Sequence, residues 1–160
     1  MPRRFVSGVV LSLSLLLTLG QGRSGATTDA GWAPRNDAAT IQALVDELRQ
    51  QLALPHEVSV VLVPSNPLLV SVEHGPARKA FLLSFEDGFL DVLDGDELRA
   101  VVAHELGHVW IFTHHPYLQT EQLANRVAMR VVSRETLERV YGKVWERNGA
   151  KGDLVRFLGH

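Results

Sequence analysis

The stretch His104–His108 reads HELGH, and the interpretation of the whole chain starts from it. Side chains four positions apart share one face of a helix, so the imidazoles of His104 and His108 can reach the same metal ion. Neutral imidazole is a common ligand of zinc. Glu105 adjoins the first histidine, where its carboxylate can accept a proton from a water that the metal activates. The stretch therefore predicts a site for one zinc ion with two of its ligands and a general base.

The residues around this stretch predict the helix that it needs. Asp94 is a suitable N-cap, and Glu97 three positions later completes a capping-box pair. Apolar residues recur at helical spacing, namely Leu98, Val101, Val102 and Val109. Pro116 lies past the end and prevents continuation of the helix. Gly107 lowers helix stability, and we interpret it as a small residue that keeps space free near the metal.

Composition limits the classes of function that the chain can serve. The sequence has 160 residues and is 46% hydrophobic, which fits one folded domain, or one domain plus a targeting segment. The formal net charge is −2, so the basic excess typical of nucleic-acid binding is absent and we expect no nucleic-acid partner. The sequence contains no cysteine, which excludes a thiol nucleophile, a cysteine-based zinc finger and a disulfide framework.

The N-terminal sequence has the three-part pattern of a secretory signal peptide. Arg3 and Arg4 precede an apolar run over 5–19, and small residues follow at 24–26. The alternative is a retained membrane anchor, but the apolar run is shorter than the roughly 20 residues that span a bilayer. We therefore expect residues 1–26 to be a signal peptide and residues 27–160 to be a single domain. The protein would be exported, periplasmic or secreted, without stable membrane insertion after cleavage.

The remaining patterns predict an α+β fold. The sequence predicts a helix from residue 36 or 37 to 55, strands over 58–63, 68–73 and 79–85, a helical turn over 89–93, the metal helix, helices over 118–132 and 134–147, and a last turn within 151–158. Strands joined by short turns favour a small antiparallel or mixed sheet packed on the helices.

A catalytic zinc site needs a third protein ligand and leaves one position for water. The helix that follows the HELGH stretch carries Glu121 and Asn125, which are four apart and share a face. Glu121 can supply a carboxylate to the metal. Asn125 can accept the second N–H of a ligating histidine through its amide oxygen, which would fix the tautomer of that ring. The metal site is therefore expected between the metal helix and the helix that follows it.

The segment DELRAVVAHELGH (96–108), followed by EQLAN (121–125), resembles the M48 family of zinc metallopeptidases. These enzymes are gluzincins, and the chain is closest in size to the minimal minigluzincins. The similarity covers roughly 58–132. It implies a zincin-like fold, with residues 27–160 as one zinc metallopeptidase domain. It also implies His104, His108 and Glu121 as metal ligands and Glu105 as the general base.

Two further features follow from the resemblance. It implies that the strand Phe81–Phe85 is a sheet edge where an extended peptide can pair. The chain also departs from the family pattern, because Asn125 stands where the family usually has Asp. Asn keeps a hydrogen-bond acceptor for the ligating histidine but lacks the charge.

We accordingly expect an exported zinc endopeptidase that acts on peptides or proteins. Hydrolysis also needs a donor for the tetrahedral oxyanion, and the loop after the metal helix offers Tyr117 and His115 as the favoured candidates. The alternative is an exported zinc-binding protein of chaperone-like or latent character with little hydrolysis. In a latent form, the tail that ends in His160 could cover the metal.

Overall fold

The computed structural model describes residues 37–75, 77 and 79–160, so the predicted signal peptide at 1–26 lies outside the described residues. The elements are α1 (Ala38–Gln51), β1 (Glu57–Val63), β2 (Val70–His74), β3 (Ala80–Glu86), α2 (Asp87–Leu90), α3 (Gly95–His114), α4 (Glu121–Ala128), α5 (Arg134–Arg147) and α6 (Leu154–Leu158). The α+β class predicted from the sequence is confirmed.

The three strands form one mixed sheet in the order β1-β3-β2. β1 runs parallel to β3, and β2 runs antiparallel to it. The expectation that Phe81–Phe85 forms an edge is wrong, because this stretch lies in β3 and pairs on both sides. The central position suits β3 because its inward side chains, Phe81, Leu83 and Phe85, are all buried.

The two edges of the sheet differ. At β1, the amide of Gln42 on α1 bonds to the backbone much as a neighbouring strand would. Its Nε2 donates to the carbonyl oxygen of Val58 at 2.9 Å, and its Oε1 accepts from the N–H of Val60 at 2.9 Å. At β2, the backbone N–H of Val72 donates to the carboxylate of Glu105 on α3. The edge beside the HELGH stretch is therefore β2.

Helix α3 occupies the middle of the molecule. Its start is the predicted capping box: the N–H of Glu97 donates to Asp94 Oδ1 at 2.8 Å, and the N–H of Asp94 donates to Glu97 Oε2 at 2.9 Å. Every residue over 100–109 is buried, because α3 packs against α1, β2, α4 and α5. Among the described helices, α3 included, none combines the length and apolar character that crossing a membrane requires.

Helix α4 is shorter at both ends than the predicted helix over 118–132. The side chain of Thr120 accepts from the N–H of Leu123 at 3.1 Å, so this N-cap starts the helix three residues later than predicted. The helix ends at Ala128, and a turn leads to Ser133, which caps α5. The late start makes Glu121 the first residue of α4 and directs it towards α3.

Candidate metal centre

Three side chains converge where α3 crosses α4. His104 and His108 lie on successive turns of α3, and Glu121 opens α4; their ligand atoms all lie within 4.8 Å of one another. The two Nε2 atoms of the histidines are 3.2 Å apart. Glu121 Oε2 lies 3.2 Å from His104 Nε2, and Glu121 Oε1 lies 3.5 Å from His108 Nε2.

These separations fit a tetrahedral metal ion. Donor atoms bound at about 2.0–2.1 Å with tetrahedral angles are about 3.3 Å from one another. The three observed separations lie close to that value. Glu121 Oε2 is buried and makes no hydrogen bond, so its approach to His104 lacks hydrogen-bond geometry. Two nitrogens and one carboxylate could therefore hold a metal ion and leave a fourth position for water or substrate.

Gly107 is what allows α3 and α4 to approach so closely. A Cβ at this position would lie 2.4 Å from the carbonyl oxygen of Ala124 on α4. The missing side chain thus makes room for the backbone of α4, and the interpretation that it keeps space free near the metal is wrong. The close crossing carries Glu121 up to the two histidines.

Asn125 holds the ring of His104 from behind. Its Oδ1 lies 2.7 Å from His104 Nδ1, and the residue is fully buried. Its Nδ2 donates to the hydroxyl of Tyr141 at 2.7 Å and to the backbone carbonyl of Phe157 at 2.9 Å. With Nδ1–H donated to Asn125, Nε2 of His104 is left to face Glu121 and His108. Tyr141 and Phe157 were missed by sequence reasoning.

Glu105 lies in the same buried region, with 2% of its surface exposed. Burial raises the pKa of its carboxyl group, and the negative charge of Glu121 raises it further. His104 and His108 oppose that shift without cancelling it. The N–H of Val72 donates to the carboxylate of Glu105 and orients it. The Oε2 atom of Glu105 makes no hydrogen bond. A carboxylate with a raised pKa can both accept and return a proton near neutral pH.

The charges of the ligand cluster are strongly coupled. Burial alone would raise the pKa of Glu121, but the adjacent rings of His104 and His108 hold that pKa well below its usual range. Burial would lower the pKa of His104, yet Glu121 raises it to about 9. The cluster therefore favours positive charge beside the carboxylate. A metal ion bound there would take the place of that proton.

The predicted oxyanion donors lie at the surface, beyond the end of α3. The side chain of Tyr117 is 98% exposed. His115 is the exposed C-cap of α3, and its ring lies 5.5 Å from that of Trp110. Because α3 ends at His114 and the chain then turns outward, the structure does not bring Tyr117 into contact with the metal ligands. The terminal His160 is also exposed and does not belong to the described ligand cluster.

A small apolar cavity opens beside His104 and Glu105. Its other lining residues are Leu68, Leu69, Val70, Phe89, Val101, Leu137, Val140, Tyr141 and Val144. The cavity lies between the start of β2 and helix α5, so an apolar group held there would lie next to the candidate base.

Comparison with known proteins agrees with this geometry. The sequence model of peptidase family M48 matches residues 35–155. A protease HtpX homolog from Salinibacter ruber is 33% identical over 75 residues, and one from Aquifex aeolicus is 32% identical over 77 residues. These alignments cover 47% and 48% of this chain but only 26% and 24% of the two relatives. The chain thus matches about a quarter of the length of each.

The fold is also similar to a solved structure, the metallopeptidase zymogen abylysin of Pyrococcus abyssi. The TM-score is 0.50 at 14% sequence identity, and the match covers 71% of this chain and 99% of that one. At this identity the likeness concerns the fold alone. The family model, by contrast, matches well over half of the sequence and includes the HELGH stretch and Glu121. The chain belongs to peptidase family M48, a family of metallopeptidases.

Proposed function

We propose that this chain is a zinc-dependent endopeptidase that hydrolyses peptide bonds in peptides or proteins. The observation that carries the proposal is the buried carboxylate of Glu105 beside three convergent metal ligands. A structural zinc site closes its coordination with four protein ligands, whereas three such groups converge among the described residues. A purely structural site would also have no use for a buried carboxylate with a raised pKa.

Zinc bound by His104, His108 and Glu121 would acidify a water molecule and polarise the scissile carbonyl. Glu105 accepts the proton that this water loses as its oxygen adds to the carbonyl carbon. Glu105 then returns the proton to the amide nitrogen as the C–N bond breaks, so the products are a carboxylic acid and an amine. The hydrogen bond from the N–H of Val72 keeps the carboxylate oriented throughout.

The edge of β2 offers a place for an extended substrate. The carbonyl of Leu69 accepts from the N–H of Glu86 on β3 at 2.8 Å. Because backbone direction alternates along an antiparallel pair, the backbone groups of Val70, Val72 and His74 point away from β3. The N–H of Val70 is donated to the carbonyl of Leu68 and that of Val72 to Glu105, so a substrate would pair with the carbonyls of Val70 and Val72 and with the backbone of His74. A peptide paired to this edge would lie beside Glu105. The apolar cavity next to it favours substrates with an apolar side chain near the bond that is cut.

Export is part of the proposal and rests on the sequence pattern of residues 1–26. Synthesis of the full chain in a secreting host, followed by N-terminal sequencing of the product, would test it. A mature chain that begins close to Thr27 is expected in the periplasm or medium. A product that retains Met1 and is found in the membrane fraction would show that the N-terminal segment is a membrane anchor and not a signal peptide.

The experiment that tests hydrolysis is digestion of a mixed peptide library by the zinc-loaded chain beginning at Thr27. Glu105→Gln keeps the size and the hydrogen-bond acceptor but cannot move the proton, so we expect cuts from the wild type and none from this variant. Glu135→Gln, an exposed change on α5, is the matched control and should cut like the wild type. Zinc affinity is measured for all three.

Two other outcomes would count against the proposal. Wild-type chain that binds zinc but cuts no peptide would favour the chaperone-like or latent alternative. Cuts that persist in Glu105→Gln would show that Glu105 is not the base.

A further inference from the structure

We propose that the C-terminal segment, residues 153–159, is part of the metal centre and is the reason why position 125 carries an amide rather than a carboxylate. Its carbonyl at Phe157, together with the hydroxyl of Tyr141, fixes the orientation of the Asn125 side chain. That orientation turns the amide oxygen to His104. This inference rests on the proposed zinc site and adds a positioning element that lies outside the ligand motif.

The argument starts from what each partner of Asn125 can do. The carbonyl oxygen of Phe157 can only accept a hydrogen bond, so the atom that faces it at 2.9 Å must be the amide nitrogen. The amide oxygen must then face Nδ1 of His104, which lies 2.7 Å away. Nδ1 therefore carries the hydrogen, and Nε2 keeps its lone pair for the metal. A backbone carbonyl of α6 thus sets the ring orientation of a ligand on α3.

The C-terminal segment can do this because contacts with α5 hold it in place. Arg134 on α5 donates from Nη2 to the carbonyl of Gly159 at 2.9 Å. The ring of Phe157 packs on that of Tyr141, with centroids 5.1 Å apart. Gly152, just before the segment, lies close to Trp145: a Cβ there would come within 2.0 Å of the indole ring. These contacts involve none of the ligand atoms.

The same network explains why the amide replaces the carboxylate usual in the family. A carboxylate at this position would set one acceptor against another at the carbonyl of Phe157. The hydroxyl of Tyr141 could rotate and donate instead, but a backbone carbonyl has no proton to offer. An Asp side chain could keep its hydrogen bond to His104 only by displacing the C-terminal segment. It could leave the segment in place only by turning away from His104. Phe157, rather than Tyr141, is the partner that selects Asn.

Asn125→Asp distinguishes this inference from the simpler explanation that only the residue bonded to His104 sets its affinity for zinc. Considered locally, a carboxylate behind a metal-bound histidine raises the basicity of the ring and should tighten zinc binding. The inference gives the opposite sign: zinc affinity falls by about tenfold or more, in the range seen when partners of ligands are lost. Amide hydrogen exchange over 153–159 should also become faster. Competition with a zinc chelator and exchange mass spectrometry measure the two effects.

Gly152→Ala tests the same point without touching the hydrogen-bond network. The added methyl group must push the segment off Trp145, so exchange over 153–159 should rise and zinc affinity should fall. Gly142→Ala is the matched control, since a Cβ at Gly142 meets nothing within 4 Å; its zinc affinity should stay within about twofold of the wild type. A spectroscopic signature accompanies the change: the Nδ1 proton of His104, protected in the zinc-loaded wild type, should exchange rapidly with water in Gly152→Ala.

The outcomes distinguish this inference from the proposed function. If the wild type binds no zinc, both fail. If the wild type binds zinc and Asn125→Asp binds it equally or more tightly, the inference is overturned while the zinc site stands. The same holds if Gly152→Ala loosens the segment and leaves both the zinc affinity and the His104 proton unchanged.

Discussion

The metal centre has two sides that are built in different ways. On the ligand side, His104 and His108 on α3 face Glu121 on α4, and the three present donor atoms directly to one point. On the support side, Asn125 contacts His104 through Nδ1, the ring nitrogen that does not face the other ligands. Tyr141 and the C-terminal segment in turn hold Asn125. The first side supplies chemistry, and the second supplies orientation.

The difference shows in what each side demands of its residues. A donor on the ligand side must be a particular chemical group, because imidazole and carboxylate cannot be exchanged for neutral or apolar side chains without losing a bond to the metal. The support side includes a partner, Phe157, that acts through its backbone carbonyl, so its position counts and its side chain counts only for packing. Substitutions can therefore disturb three features separately: the crossing of α3 and α4, the support side, and the loop after α3.

Gly107→Ala should have the largest effect, because it disturbs the contact on which both sides depend. The new Cβ would lie 2.4 Å from a backbone oxygen of α4, which cannot swing aside as a flexible side chain could. Moving α4 withdraws Glu121 and Asn125 together. We expect a loss of about 1–3 kcal/mol in the free energy of unfolding, as in other overpacked cores, and zinc affinity too weak to measure by chelator competition.

Gly95→Ala is the control for that change, because a Cβ at Gly95 meets nothing within 4 Å and the residue lies on the same helix. Urea unfolding should place it at or slightly above the stability of the wild type. Equal stability and equal zinc affinity for Gly107→Ala and Gly95→Ala would mean that the close crossing of α3 and α4 does not hold the site together.

The elements that sequence reasoning predicted well depend on short-range patterns. The capping box of Asp94 and Glu97, and the end of α3 before Pro116, follow from neighbouring residues and are confirmed. The order of the strands depends on long-range pairing, and there the expectation that Phe81–Phe85 is an edge failed. Strand patterns show which faces are buried, but the choice of neighbour is made by the whole fold.

The candidate site divides in the same manner. The four-residue spacing of His104 and His108 follows the helical repeat, as does that of Glu121 and Asn125 on the next helix, so the sequence was enough to nominate all four. The partners of Asn125 lie 16 and 32 residues away along the chain. Phe157 contributes a backbone carbonyl, which every residue has and which leaves no trace in a sequence. Tyr141 had a weak signal, since a buried tyrosine usually finds a partner for its hydroxyl.

Tyr141→Phe should have an intermediate effect that is confined to the support side. The change removes the acceptor of one N–H of Asn125 but leaves the bond to Phe157, which still fixes the amide. An unsatisfied buried donor costs about 1–3 kcal/mol, so thermal unfolding should show lower stability. Zinc affinity should fall only a few-fold, clearly less than in Asn125→Asp. An equal or larger loss would make Tyr141, and not Phe157, the group that selects the amide.

Tyr117→Phe removes the same hydroxyl from the only other tyrosine, and we expect the smallest effect of all. With 98% of its surface exposed, this side chain contacts neither side of the metal centre. Stability and zinc affinity should match the wild type, and kcat for a peptide that the wild type cuts should change by less than about twofold. A fall in kcat of about a hundredfold with KM unchanged would be the loss expected for an oxyanion donor. In that case the loop after α3 must move to bring Tyr117 to the substrate, and this loop would be a third part of the site.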